Sequence, residues 1–174
     1  MFIAHLPAGY LWTRFIVRKH RLADVPSRRY RKFMALGLIG SLLPDADMLY
    51  FYLIDNRQHL HHGYWTHIPL YWIALFVMSL LAGRIFDKPS LRPAAAVLFS
   101  NVFIHMVLDT VVGKVRWLAP FSGHDFMLFE VPARHGWWVW NFMFHWTILL
   151  EIAIVIAAVV TFLISRRPRV AAKS

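Results

Sequence analysis

Four long apolar runs leave this chain few folds other than a bundle of membrane helices. They cover residues 33–54, 68–86, 93–113 and 145–165, and each is about long enough to cross a hydrocarbon core of roughly 30 Å as an α-helix. A shorter apolar stretch, 1–17, contains a histidine, a proline and an arginine. We expect an all-α, polytopic membrane helix bundle with four transmembrane helices, in which 1–17 adds a fifth span or a half-embedded helix. Residues 1–174 then form a single integral membrane domain.

The composition supports a membrane protein and excludes several other classes. Of the 174 residues, 59% are hydrophobic and only 16% are charged, whereas a soluble domain is roughly 45–50% apolar and about one quarter charged. Such high hydrophobicity also excludes intrinsic disorder. The chain contains no cysteine, so disulfides, thiolate metal ligands and cysteine nucleophiles are all absent.

The basic residues indicate how the chain is oriented in the membrane. Fifteen of the 19 lysines and arginines fall within 14–32, 84–92 and 166–173. The positive-inside rule places these segments, and with them the C-terminus, in the cytoplasm. The N-terminus then lies outside if 1–17 spans. The basic segment 14–32 reads as a loop that faces anionic lipids, so membrane lipids are the expected partners and no nucleic acid is expected.

Two aspartates interrupt the first long apolar run. Asp45 and Asp47 follow Pro44, and proline usually kinks or breaks a helix because it lacks an amide hydrogen. Ionisable groups inside a span are costly and therefore indicate function. Two carboxylates beside a helix break are predicted to face a shared polar cavity. The alternative is that the run ends near Leu43 and the aspartates cap the next helix.

A histidine-rich segment precedes the second apolar run. Four histidines fall within residues 59–67, at the outer boundary of the membrane in the orientation given above. Neutral imidazole is a favoured ligand of zinc and related ions. The segment is therefore either a metal site or an interfacial polar loop. His61 is an alternative to His62 as a ligand.

A histidine and an aspartate share one face of the third predicted span. His105 and Asp109 are four residues apart, a spacing that brings side chains together on a helix. Such a pair holds one metal ion, or the carboxylate orients the imidazole. Asp109, the histidine-rich segment, Asp45 and the N-terminal His5 all fall toward the outer half of the membrane. We therefore expect these groups to meet.

These residues, in this order, resemble a known family, the LexA-regulated inner-membrane metal-dependent hydrolases. The resemblance covers roughly 1–125 and rests on the N-terminal His5, the Pro-Asp-x-Asp element at 44–47, the segment HGYWTH at 62–67 and the pair at 105 and 109. Two positions depart from the family pattern: Gly63 stands where arginine is common, and Ile68 where a small hydroxyl residue is common. The resemblance implies a bacterial inner-membrane location and a metal site.

A membrane-embedded metal-dependent hydrolase is the function that this pattern predicts. Its expected metal ligands are His5, Asp45, Asp47, His62, His67, His105 and Asp109. A catalytic zinc takes three protein ligands, so seven candidates indicate either two ions or one ion with supporting residues, and Asp45 or Asp47 is the expected proton acceptor. Ligation by nitrogen and oxygen suits zinc first, with manganese or iron as alternatives. The expected substrate is a lipid or lipid-linked ester or phosphoester on the extracytoplasmic side. The competing hypothesis is a non-enzymatic metal or proton transporter.

Overall fold

The computed structural model describes residues 1, 3–19, 27–59 and 61–166, without the side chains of residues 61 and 166. This part of the chain is mainly helical, with an irregular segment at 111–137. His20, Arg21 and the basic tail beyond residue 166 lie outside the described residues. The α-helices are α1 (His5–Lys19), α2 (Ser27–Gly40), α3 (Asp47–Leu53), α4 (Pro69–Ile85), α5 (Leu91–Thr110), α6 (Trp138–Met143) and α7 (Ile148–Arg166). Short 3₁₀ turns lie at Pro44–Ala46, His61–Gly63 and Trp65–His67. No strand occurs in the described ranges, and the prediction of an all-α fold is confirmed.

Helix α5 lies at the centre of the packing. It contacts α1, α2 and α4, and α1 in turn contacts α2 and α7. One apolar cluster joins α4 to α5 through Trp72, Phe99 and Met106. A second cluster joins α1, α2 and α5 through Val17, Phe33 and Val97. Any residue on the inward face of α5 is therefore enclosed by three other helices.

The first predicted span is broken where Pro44 indicated a break. Helix α2 ends at Gly40, and the segment Pro44–Leu53 continues at an angle of 58° to it. The N-cap positions of the 3₁₀ turn and of α3 are Leu43 and Ala46, and neither has a side-chain cap hydrogen bond. The aspartates are therefore not helix caps. The bend instead directs this part of the chain toward the end of α5.

Within the described residues the structure has two or three candidate membrane spans, fewer than the four or five predicted. Helices α5 and α7 are long and apolar enough to cross a membrane, and α2 with Pro44–Leu53 adds a third crossing if the bent pair is one span. Helix α4 has 17 residues and rises about 26 Å, which is short of a core of roughly 30 Å. Helix α1, with 15 residues, is shorter still. The apolar runs overstated the count because they include turns and a helix break.

The helices place their basic ends together, away from the candidate site residues. Helix α1 ends at Lys19, α4 ends beside Arg84, and α5 begins beside Arg92. The opposite end of the bundle holds the start of α1 at His5 and the end of α5 near Asp109. The chain therefore separates its basic residues from its buried histidines and aspartates along the axis of the bundle.

Close packing of α2 on α5 requires a glycine at position 40. A Cβ atom there would press on the carbonyl oxygen of Leu98 and lie 3.1 Å from the Cβ of Asn101. Backbone atoms cannot move aside cheaply, so we expect Gly40→Ala to destabilise the fold by about 1–3 kcal/mol. Thermal unfolding in detergent, followed by circular dichroism, measures this change. Gly136→Ala is the control, because nothing lies within 4 Å of a Cβ atom at that position; equal unfolding temperatures for the two variants would contradict the packing.

Candidate metal centre

Three separate parts of the chain bring four ligand-type side chains to one point. Helix α5 contributes His105 and Asp109 from adjacent turns, the break after α2 contributes Asp45, and the 3₁₀ turn before α4 contributes His67. One ligand atom from each of the four lies within 4.8 Å of the others. Pro69 begins α4 and helps to end the preceding turn, because proline is well suited to the first position of a helix.

The distances inside this group are those of atoms arranged around a small cation. Nε2 of His105 lies 2.9 Å from Oδ2 of Asp109 and 3.5 Å from Oδ1 of Asp45. Nε2 of His67 lies 3.6 Å from Oδ2 of Asp109 and 3.9 Å from Oδ1 of Asp45. Four ligands about 2.1 Å from a tetrahedral zinc would be separated by about 3.4 Å. The group therefore forms a potential metal-binding site.

The two histidines are oriented by hydrogen bonds on the far side of each ring. Nδ1 of His105 lies 2.8 Å from the carbonyl oxygen of Ser41, which accepts only, so Nδ1 carries the proton. Nδ1 of His67 lies 2.9 Å from Oδ2 of Asp47. Metal-binding histidines usually have such a partner, because it fixes the tautomer and directs the other nitrogen at the ion. Both Nε2 atoms are thus placed toward the shared point.

Burial makes this arrangement costly unless the charges of its carboxylates are balanced. The side chains of His67 and His105 are completely buried, and that of Asp109 is nearly so. Buried polar atoms of the described residues include Nε2 of His105 and Oδ2 of Asp109, which lie 2.9 Å apart but form no hydrogen bond of suitable geometry. Buried polar atoms without such a bond are uncommon and require an explanation. A bound cation provides one, because it pairs with several acceptors at once.

The remaining predicted ligands surround this group at different distances. Nε2 of His5 lies 3.0 Å from Oδ1 of Asp109, and the His5 ring stacks on His105 with centroids 3.9 Å apart. Nε2 of His62 lies 3.7 Å from Oδ2 of Asp109. Asp47 lies behind His67, where its carboxylate also accepts a hydrogen bond from Thr66. The structure thus brings all seven predicted residues together, four of them around one point.

The N-terminal segment is held against this centre by two acidic side chains. The α-ammonium group of Met1 lies 2.8 Å from Oδ1 of Asp109. Oε2 of Glu151, which is buried on α7, accepts hydrogen bonds from the amides of Ile3 at 2.5 Å and Ala4 at 3.1 Å. These contacts place His5, at the start of α1, beside Asp109.

A cavity of about 430 Å³ adjoins the candidate metal centre. Its polar lining groups include Asp45, His62, Asp109 and the α-ammonium group of Met1. Asp45 is the most exposed of the four grouped residues, with 34% of its side chain accessible. The rest of the wall is mainly apolar and includes Met48, Phe51, Tyr52, Val112, Trp138 and Phe142. An amphiphilic molecule with a polar end fits a cavity of this character.

A glycine lets His62 approach the centre. A Cβ atom at Gly113 would lie 2.5 Å from Cε1 of His62 and 3.0 Å from the carbonyl oxygen of Asp109. Side chains larger than hydrogen at this position would therefore displace the His62 ring.

The other histidines and acids of the sequence lie away from the centre. His59 pairs with Asp55 at 2.6 Å, and the hydrogen bond from His59 lowers the pKa of Asp55 to about 2. His145 lies 2.8 Å from Oγ1 of Thr147. Asp125 pairs with Arg116 at 3.0 Å. These contacts are local, so solvation and surface pairing account for these residues.

Several residues of the centre are not evident in the sequence. Ser41 acts through its backbone carbonyl, for which no side-chain pattern exists. Glu151 had a visible signal, since an acid inside an apolar run is costly, but its partners are backbone amides that no motif reveals. Gly113 lies three residues after the end of α5, and only its proximity to the His62 ring shows why it is small.

Comparison with known proteins identifies a family for the chain. A family model described as YdjM inner membrane protein matches residues 1–172. No curated protein and no solved structure matches the chain. The match and the apolar helices together support an integral location in the inner membrane. The chain belongs to the family of YdjM inner membrane proteins.

Proposed function

We propose that this protein is a membrane-embedded metal-dependent hydrolase that acts on the extracytoplasmic side on a lipid or lipid-linked ester or phosphoester. The observation that carries the proposal is the group formed by Asp45, His67, His105 and Asp109, whose ligand atoms lie within 4.8 Å of one another. Two of these residues, Asp45 and Asp109, also line a mainly apolar cavity. The sequence resemblance supports the same reaction class and adds transcriptional control by LexA to the proposal.

The donor set suits a divalent ion of the zinc, manganese or iron type, with zinc as our first choice. Such an ion lowers the pKa of a bound water toward neutrality and polarises an ester or phosphoester oxygen. His67 and His105 supply nitrogen ligands in a fixed orientation, and Asp109 supplies a buried oxygen. Asp47 orients His67, while His5 and His62 stabilise the Asp109 carboxylate or complete a second site.

Asp45 is our choice as the proton acceptor of the reaction. It is the one grouped residue that is substantially exposed to the cavity, so its carboxylate reaches a water or substrate there. Asp47 is 5% exposed and already accepts hydrogen bonds from Thr66 and His67. We therefore assign proton transfer to Asp45 and positioning to Asp47.

The separation of charges along the bundle supports a site on the extracytoplasmic side of the membrane. The basic ends of α1, α4 and α5 lie opposite the metal centre, and basic loops favour the cytoplasm. With this orientation the cavity opens toward the outer half of the bilayer, where lipid head groups enter it.

A transporter is the competing proposal, and the interior of the bundle argues against it. A transport path needs polar groups that continue to the opposite side. One turn below His105, Asn101 donates a hydrogen bond to Thr13, which extends the polar region slightly. Below this point, Val17, Phe33 and Val97 form a buried apolar cluster. Within the described residues the polar region therefore favours a one-sided site.

We expect the purified protein, in nanodiscs of bacterial lipids with added zinc, to release lipid hydrolysis products detectable by mass spectrometry. Asp45→Asn is expected to lower the rate by about 10²-fold or more, the range that general base catalysis contributes. Asp87→Asn, at the opposite end of the bundle, is the control and keeps the wild-type rate. If no lipid class yielded a product and the protein carried zinc into proteoliposomes, the hydrolase proposal would be wrong and a transporter would be the better assignment.

A further inference from the structure

The turn after α3 carries an arginine to the wall of the cavity beside the metal centre. Arg57 lines this cavity together with Asp45, His62 and Asp109. It is the only lysine or arginine among the described lining residues. No carboxylate in the described part of the chain forms an ion pair with its guanidinium group. The cavity therefore has a positive group available for a ligand.

The backbone at Arg57 is held in an unusual conformation. Asn56 has a φ of 48° and Arg57 a φ of 63°, in the left-handed region that side chains other than glycine rarely adopt. The turn is closed by the Arg57 amide, which donates to the carbonyl oxygen of Phe51 at 3.1 Å. It is also closed by Asp55, which accepts from the His59 amide at 3.0 Å. Backbone strain of this kind clusters at sites that hold ligands.

Charge complementarity identifies the occupant of the cavity. A divalent ion balances the two carboxylates of Asp45 and Asp109, so the α-ammonium group of Met1, 2.8 Å from Oδ1 of Asp109, and the guanidinium group of Arg57 leave the cavity wall net positive. A guanidinium group matches a phosphate with two parallel hydrogen bonds. The aromatic and aliphatic wall matches a hydrocarbon chain rather than water.

We propose that Arg57 binds the phosphate head group of a lipid phosphoester whose chain lies along Met48, Phe51 and Phe142. The proposal rests on the proposed function and narrows its substrate class to phosphoesters, because a neutral carboxyl ester would leave the guanidinium group without an anionic partner. The occupant is a lipid phosphate and not free phosphate, since free phosphate makes no use of the apolar wall.

Octylphosphonate tests this proposal without requiring turnover, because it has no ester bond to hydrolyse. Binding is measured by calorimetry on the zinc-supplemented protein in dodecyl maltoside, a detergent that contains no phosphate, and bound zinc is measured separately. Arg57→Gly removes the guanidinium group at a backbone conformation that glycine adopts freely, so the unfolding temperature should not fall. We expect this variant to bind octylphosphonate about tenfold more weakly than the wild type. Octanol should bind to both proteins equally, and inorganic phosphate more weakly than octylphosphonate.

Asn56→Gly is the matched control, because it changes the neighbouring left-handed residue and keeps the guanidinium group. It should bind octylphosphonate as the wild type does. Equal binding of octylphosphonate by the wild type and Arg57→Gly would overturn the proposal, as would inorganic phosphate binding as tightly as octylphosphonate. A protein that binds octylphosphonate through Arg57 and hydrolyses no lipid would contradict the proposed function alone.

Discussion

Asp109→Asn is expected to lower the zinc affinity of the purified protein by more than about 100-fold. Loss of a residue that only orients a ligand typically costs 10–100-fold, and Asp109 stands at the centre of the group itself. Its Oδ2 atom faces Nε2 of His67 and of His105 at 3.6 and 2.9 Å. Asparagine keeps the shape but removes the negative charge that a cation requires. Elemental analysis after dialysis against buffered zinc measures the change.

Asp125→Asn is the control for this experiment. Asp125 is a partly exposed aspartate that pairs with Arg116, so its replacement removes one carboxylate without touching the centre. Its zinc content should equal that of the wild type. If Asp109→Asn retained the same zinc content as Asp125→Asn, the four-residue group would not be a metal site.

Glu151→Ala is expected to destabilise the fold and to weaken the metal centre at the same time. The substitution leaves the buried amide of Ala4 without its acceptor, and a buried donor without a partner costs about 1–3 kcal/mol. The amide of Ile3 loses its acceptor as well. Release of this segment moves His5 away from Asp109. Thermal unfolding in detergent and zinc content measure the two effects.

Glu151→Gln separates the hydrogen bonds from the charge. The glutamine side chain keeps an oxygen that accepts from both amides, so we expect most of the stability and the zinc content to return. An alanine variant as stable as the glutamine variant would show that the contacts from Glu151 to Ile3 and Ala4 do not hold the N-terminal segment.

Much of the candidate site could be predicted from the sequence, because polar groups inside apolar runs are few and costly and therefore stand out. The spacing of His105 and Asp109 predicted that the two would meet on one helix face, and they lie 2.9 Å apart. Pro44 predicted the break that turns Asp45 toward them. The relative roles of Asp45 and Asp47 were not predictable, since they depend on which carboxylate lies behind His67.

The number of membrane spans was harder to predict from the sequence, because hydropathy does not show where a helix ends within an apolar run. The run 33–54 contains a bend of 58°, and the run 68–86 yields a helix of 17 residues. The role of Arg57 was also hidden. As a lone basic residue in a loop it signals only topology, and its place in the cavity depends on the left-handed turn at residues 56 and 57.

X-ray absorption at the zinc edge tests the central claim most directly, because it reports the atoms bound to the ion. For the zinc-loaded wild-type protein we predict four or five nitrogen and oxygen ligands at about 2.0–2.2 Å, with scattering from two imidazole rings. His105→Ala should lose one imidazole from this pattern or the ion itself. A zinc shell without imidazole scattering, or no zinc retained after desalting, would contradict a metal centre built on His67, His105, Asp45 and Asp109.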